Sequence, residues 1–178
     1  MRSRPFATFD PWKFASTGQT LEGSLPLARL ERLAGALQSA EGEARYRLTG
    51  HVDADGRSLL EAEIDADVLL ECQRCLGPVR TALHAHSTLA PIADDGRAAA
   101  LPGAYEPLVV GEEGVVPADV VEDELILALP LVAMHDTLHE CEACGYVVPQ
   151  PATTAVSEAK PNPFAALPSL LKESKTQE

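Results

Sequence analysis

The sequence predicts an α+β fold: an antiparallel β meander flanked by an N-terminal helix and by a helix in the C-terminal half. Three observations carry this expectation. Leu60, Ala62, Ile64, Ala66 and Val68 alternate with Glu61, Glu63, Asp65 and Asp67, the period-two pattern of a strand buried on one face. Asp55-Gly56 separates two alternating runs, a strong hairpin signal. Apolar residues recur at helical spacing on either side of this β-rich middle, without the strand–helix alternation that marks a parallel sheet.

Taken in order, residues 1–24 read as an extended lead with turn residues at Pro5, Pro11, Gly18 and Gly23. Ser24 is a candidate N-cap and Pro26 suits a first turn. Leu27, Leu30, Leu33, Ala34 and Leu37 then predict a helix over 26–38. Tyr46, Leu48 and Gly50 alternate with Arg45, Arg47, Thr49 and His51, giving a strand before the Asp53–Gly56 turn. The strand over 60–68 follows, then one over 79–89, a loop over 91–104 and an extended piece over 106–110. Residues 117–129 form the second expected helix. Pro117 opens it, Asp119, Glu122, Asp123 and Glu124 lie near its positive end, and Pro130 stops it. The domain is expected to span 1–146. Pro149, Pro151, Pro161 and Pro163 mark 147–163 as a flexible linker, and 164–178 reads as a short amphipathic segment.

The chain has 178 residues and a formal net charge of −13. That length suits one domain with tails and a core that needs no disulfides. No run of about 18 apolar residues suggests a membrane span. Arg2, Arg4 and Lys13 lead no apolar stretch, so no secretory signal is expected and the cytoplasm is the default location. Residues 98–159 contain no Lys or Arg and 11 Asp or Glu. Such a segment is either a solvated face that keeps the protein soluble or a surface that attracts a basic partner. Aromatic residues make up 4% of the chain, which gives little support to an RNA-stacking sheet.

Two Cys-x-x-Cys pairs, Cys72/Cys75 and Cys141/Cys144, suit a tetrahedral zinc knuckle. The 65 residues between them exceed the roughly 15–20 of a compact ribbon. Reduced thiols without metal, and disulfide or redox chemistry, remain the alternatives; a cytosolic setting disfavours the last. Gly77 and Gly145 follow the pairs, where a tight turn would help. His135 and His139 are spaced i, i+4 as in a metal-dependent hydrolase, but Asp136 replaces the general-base Glu and Pro130 has just broken the helix. His84 and His86 share one face of a strand and read as solvated, and His51 has no context. No Gly-x-Ser-x-Gly, Walker loop or Gly-x-Gly-x-x-Gly is present, and the row Glu61, Glu63, Asp65, Asp67 reads as solvent-facing rather than catalytic.

Several separated blocks resemble the YceD family in order. They are Leu70–Cys75 with Pro78, Leu101–Pro107, Val121–Pro130 with His135-Asp136, and Lys160–Ala165 with Leu167 and Leu170–Lys172. The resemblance implies a non-enzymatic role in synthesis, processing or stability of large-subunit ribosomal RNA, with no catalytic residues to carry over. It implies a gene neighbour encoding a large-subunit ribosomal protein. The family pattern keeps the pair matching Cys72 and Cys75 but often has one cysteine near Cys141. On this reading the chain binds a basic ribosomal protein or a pre-ribosomal large subunit, with ribosomal RNA contacted indirectly and no membrane involved. Glu122, Asp123, Glu124 and Phe164 are candidate partner contacts. Arg74 and Arg80 are candidate RNA contacts or ordinary surface arginines, which leaves a zinc-stabilised RNA-binding module as the alternative. Phe164 opens either a docking helix or a segment that folds back on its own domain.

Overall fold

A computed structural model describes residues 8–148; the expected segments beyond residue 148, Phe164 among them, lie outside the described residues. Five strands form one sheet in the order β1-β2-β3-β4-β5: β1 Thr20–Pro26, β2 Glu43–Val52, β3 Ser58–Glu71, β4 Pro78–Ile92 and β5 Glu106–Val109. β1 to β4 make an antiparallel meander and β5 joins β4 in parallel. A parallel neighbour needs a crossover of about a dozen residues, and the stretch between Ile92 and Glu106 supplies it. Among the described residues four short α-helices accompany the sheet: α1 Pro11–Ser16, α2 Glu31–Ala34, α3 Pro117–Leu127 and α4 Leu138–Ala143.

The strand alternation sets the core. Leu60, Ala62, Ile64, Ala66, Val68 and Leu70 of β3 are buried, and Leu48 of β2 and Leu83 and Leu89 of β4 join them on the same face. α1 and α3 pack over that face, and α2 packs against α3. Gly50 makes this possible for α1, because a Cβ there would come within 2.6 Å of the Phe14 ring. Of the expected charged row, Glu63, Asp65 and Asp67 are exposed on the other face and Glu61 is half-buried there. Across it Glu22, Arg47, Glu63 and His86 stand in one register row, and Ser24, Arg45, Asp65 and His84 in the next. In the first row Arg47 thus stands between Glu22 and Glu63 and pairs with both. The Asp53 carboxylate accepts from the Asp55 and Arg57 N–H groups and closes the predicted turn.

The N-terminal helix departs from expectation. Residues 20–26, Ser24 included, pair with β2 along their whole length, a single 3₁₀ turn covers Leu27–Arg29, and α2 is one turn long. Leu27, Leu30 and Leu33 are nonetheless fully buried, so the periodicity located the buried residues while strand pairing decided the backbone. The lead is also not simply extended. Asp10 caps α1 by accepting from the Trp12 and Lys13 N–H groups, with Pro11 at the first helical position. The second helix ends at Leu127, two residues before the expected limit.

Candidate metal centre

The first cysteine pair is the tip of the β3–β4 hairpin. Glu71 faces Pro78 in register, and Cys72–Gly77 make the turn. The Cys72 N–H donates to the Gly77 carbonyl at 2.9 Å and the Leu76 N–H to the Cys72 carbonyl at 2.8 Å. The chain reverses at Leu76, whose φ of +60° costs an L-residue about 1–2 kcal/mol. Gly77, where the sequence suggested a tight turn, serves close approach instead. A Cβ there would lie 2.9 Å from Cys144 Cβ and 3.0 Å from its Sγ.

The second pair is brought up by residues 130–146. The Gln73 N–H donates to the Ala133 carbonyl at 2.8 Å, tying this segment to the hairpin tip. α4 starts at a capping box in which Thr137 and Glu140 satisfy each other's backbone N–H groups. That box sets the phase of Cys141, which is fully buried. His135 stands just before the helix. Its Nδ1 lies 3.4 Å from Cys75 Sγ and 3.6 Å from Cys141 Sγ, and its Nε2 reaches the Pro78 carbonyl oxygen at 3.1 Å. Cys72 Sγ and Cys141 Sγ are 3.9 Å apart.

The donor atoms of Cys72, Cys75, His135 and Cys141 all lie within 4.8 Å of one another. Donors held about 2.0–2.3 Å from a tetrahedral ion stand roughly 3.5–3.8 Å apart, so the observed separations fit one. An imidazole with one nitrogen aimed at the cluster and the other fixed on a backbone carbonyl is the usual setting of a metal-binding histidine. The four residues can therefore hold a metal ion.

The electrostatics point the same way. Burial pushes the Cys72 thiol up. The N–H groups of Cys75, His135 and Arg74 and the Cys75 side chain outweigh it and bring the value down to about 5. Cys141 is pushed up to about 11 by burial and by the neighbouring Cys75 and Cys72 sulfurs. The cluster accommodates one thiolate and resists a second, and a bound cation reverses that preference.

Other expected site residues fall in varied settings. All four cysteines are thiols, and Cys144 is exposed beside Cys75 and Gly77. Arg74 turns its guanidinium over the sulfurs, 3.8 Å from Cys141 Sγ and 3.9 Å from Met134 Sδ. Arg80 is exposed on the open face of β4. His139 is exposed on α4, so the i, i+4 histidine pair does not converge. His84 and His86 bond instead to Asp65 at 2.6 Å and Glu61 at 3.2 Å.

The acidic run on α3 divides three ways. Glu122 is turned inward rather than toward a partner. It accepts from the Arg32 and Leu33 N–H groups at 2.7 and 3.2 Å and from the Arg32 guanidinium. It therefore caps α2, whose own N-cap residue, Leu30, has no acceptor side chain. The helix dipole alone does not explain it. Asp123 is exposed and binds Arg32 at 2.6 Å. Glu124 is buried. The residue missed as a site member is His135. Its signal was its place five residues beyond the helix-ending Pro130, between the two cysteine pairs.

The profile of a family described as "Large ribosomal RNA subunit accumulation protein YceD" matches residues 60–171. A protein of Haemophilus influenzae bearing the same description is 37% identical over 164 residues, covering 92% of this chain and 94% of the relative. No solved structure matches.

Proposed function

The chain belongs to the YceD family, and on that premise we propose that it supports accumulation of the large ribosomal RNA subunit by binding, not catalysis. The partner is a basic ribosomal protein or the pre-ribosomal large subunit that carries it, in the cytoplasm. The observation that carries this reading is the absence of any Lys or Arg over 98–148 among the described residues, while Glu106, Glu112, Glu113, Asp119, Asp123, Asp136, Glu140 and Glu142 are all exposed. Such a surface repels phosphate and attracts a cationic protein. No helix among the described residues is long and apolar enough to cross a membrane.

The metal centre belongs to this reading as a structural element. Three thiolates and one imidazole are the donors of closed zinc sites, which leave no position for substrate. The ligand set we propose is Cys72, Cys75, Cys141 and His135, with Cys144 outside it, because the Pro78 carbonyl fixes the His135 ring. Metal analysis of untagged protein should find about one zinc per chain, lost in Cys72→Ser and kept in Cys144→Ser.

The function is tested by sedimentation with large-subunit precursors at graded salt. Full-length chain should sediment with the particles at low salt, leave them as salt rises, and remain bound to protein after ribonuclease. Ribonuclease-sensitive binding to naked RNA would sink this reading in favour of direct RNA contact. One observation favours that second reading. Arg45 and Arg80, exposed and without a partner among the described residues, line a cavity of about 360 Å³. Glu41, Glu43 and Asp67 line it too, which weighs against phosphate.

A further inference from the structure

Glu124 is the one α3 carboxylate without an evident purpose. It is 8% exposed, yet no ion pair or hydrogen bond of good geometry engages it. The Ser87 hydroxyl approaches and tempers its environment, but is itself buried without a hydrogen-bond partner. Burial raises its pKa, and Glu106 and Asp123 push in the same direction. Arg32, which lines the same groove, is already taken by Glu122 and Asp123. A buried carboxylate left this way is costly, and chains retain such costs mainly where a ligand relieves them.

The surroundings say which ligand. Glu124 lines an open groove of about 300 Å³ between α3 and β5, with walls of Leu89, Leu108, Val120 and Ile126 and with Glu106 and Asp123 beside it. Apolar walls ending on a carboxylate match a side chain that is aliphatic along its stem and cationic at its tip. Three carboxylates line the groove against the single guanidinium of Arg32, which Glu122 and Asp123 already hold, so phosphate is disfavoured, and a purely apolar group would leave Glu124 unrelieved.

We propose that this groove receives one lysine or arginine side chain from a basic segment of the partner protein, the stem lying along the leucine walls and the cation meeting Glu124. The inference rests on the reading that the partner is a cationic protein, and it adds the point of attachment.

The test uses full-length protein and a fluorescein-labelled peptide of alternating lysine and leucine. Glu124→Gln should weaken binding about tenfold, the order expected for a desolvated charge pair, and Glu106→Gln at the rim about twofold to threefold. Glu112→Gln, an equal charge change on an exposed loop, should change it less than about twofold. Methyl resonances of Leu89, Leu108, Val120 and Ile126 should shift on titration. Equal weakening by Glu124→Gln and Glu112→Gln would mean general acidic attraction only and overturn the groove, as would shifts confined to other methyls. If Glu124→Gln still sediments with precursor particles as tightly as the natural chain, the groove fails while the function stands. If the natural chain does not associate with the particles, the function itself fails.

Discussion

Residues 43–92 and residues 130–146 are held by different physics. In the first region three long strands bury Leu48, Leu60, Ile64 and Val68 to 2% exposure or less against the helices. In the second, Cys141 is the only buried residue, while Leu131 is fully exposed and Val132, Met134 and Leu138 are exposed too. Apolar burial contributes about 25 cal/mol per Å², and this segment removes little apolar area from water. It is held by Ala133 and Tyr146 packed partly against the core, by a few backbone hydrogen bonds and by the convergence of the cysteine–histidine cluster. The contrast teaches that this short segment gathers a cluster able to hold a metal where the sheet gathers a core, and leaves most of its apolar side chains at the surface.

The largest effect should come from breaking that cluster. Structural zinc sites in small peptides carry apparent binding free energies of about 10–16 kcal/mol. Stripping the metal with a chelator should raise amide exchange across residues 133–146 by about a hundredfold or more, and leave β3 and β4 protected. Uniform loss across the sheet, or no change at 133–146, would abolish the distinction. Ile64→Ala probes the other side. It should cost about 2–5 kcal/mol in denaturant unfolding with metal content unchanged. A loss of metal in that variant would show the two regions to be one cooperative unit.

The legibility of the sequence follows the same division. β2 and β3 are readable because a sheet packed on one face writes its burial as alternation, and the Asp55-Gly56 turn joins them. α3 was readable from Pro117 and Pro130. The helix expected over 26–38 is replaced by two tight turns because Leu27, Leu30 and Leu33 satisfy helical periodicity equally well there; only the pairing of residues 20–26 with β2, a distant contact, separates the two. α1 carries a legible cap in Asp10-Pro11, a pair that reads equally well as a turn. The cysteines announced the metal centre, but His135 depends on the hairpin tip meeting a loop some 60 residues later. Glu122 looked like a surface acid because its role lies with α2, on another element.

The two buried carboxylates of α3 sharpen the comparison at smaller scale. Glu122 accepts hydrogen bonds from two backbone N–H groups and from Arg32, so Glu122→Gln should cost about 1–3 kcal/mol. Glu124→Gln should act in the opposite sense. Its carboxyl titrates above the ordinary carboxylate value when folded, because of burial, and near that value when unfolded. Between those limits the folded chain binds the extra proton, so stability falls as pH rises through the window and the loss is complete above it. Glutamine removes this slope and should raise stability near neutral pH, by an amount that solvent screening keeps small. Thermal unfolding of both variants from pH 4 to 8 would check this, and a matching loss in both would contradict the opposite assignments.

The smallest effect is expected on the open face of the sheet. Arg47 binds Glu22 at 2.8 Å and Glu63 at 3.7 Å, with all three side chains about half exposed. Solvent screens such pairs and ordering their long side chains costs entropy, so Arg47→Ala should change stability by no more than about 0.5 kcal/mol. A double-mutant cycle with Glu22→Gln in low and high salt measures the pair directly. A salt-insensitive coupling above about 1 kcal/mol would mean that the charged rows hold the sheet together. A small, salt-sensitive coupling leaves them the role of neutralising that face. The exposed acids over 98–148, a stretch without Lys or Arg, then become the feature that sets this part of the chain apart from the sheet face.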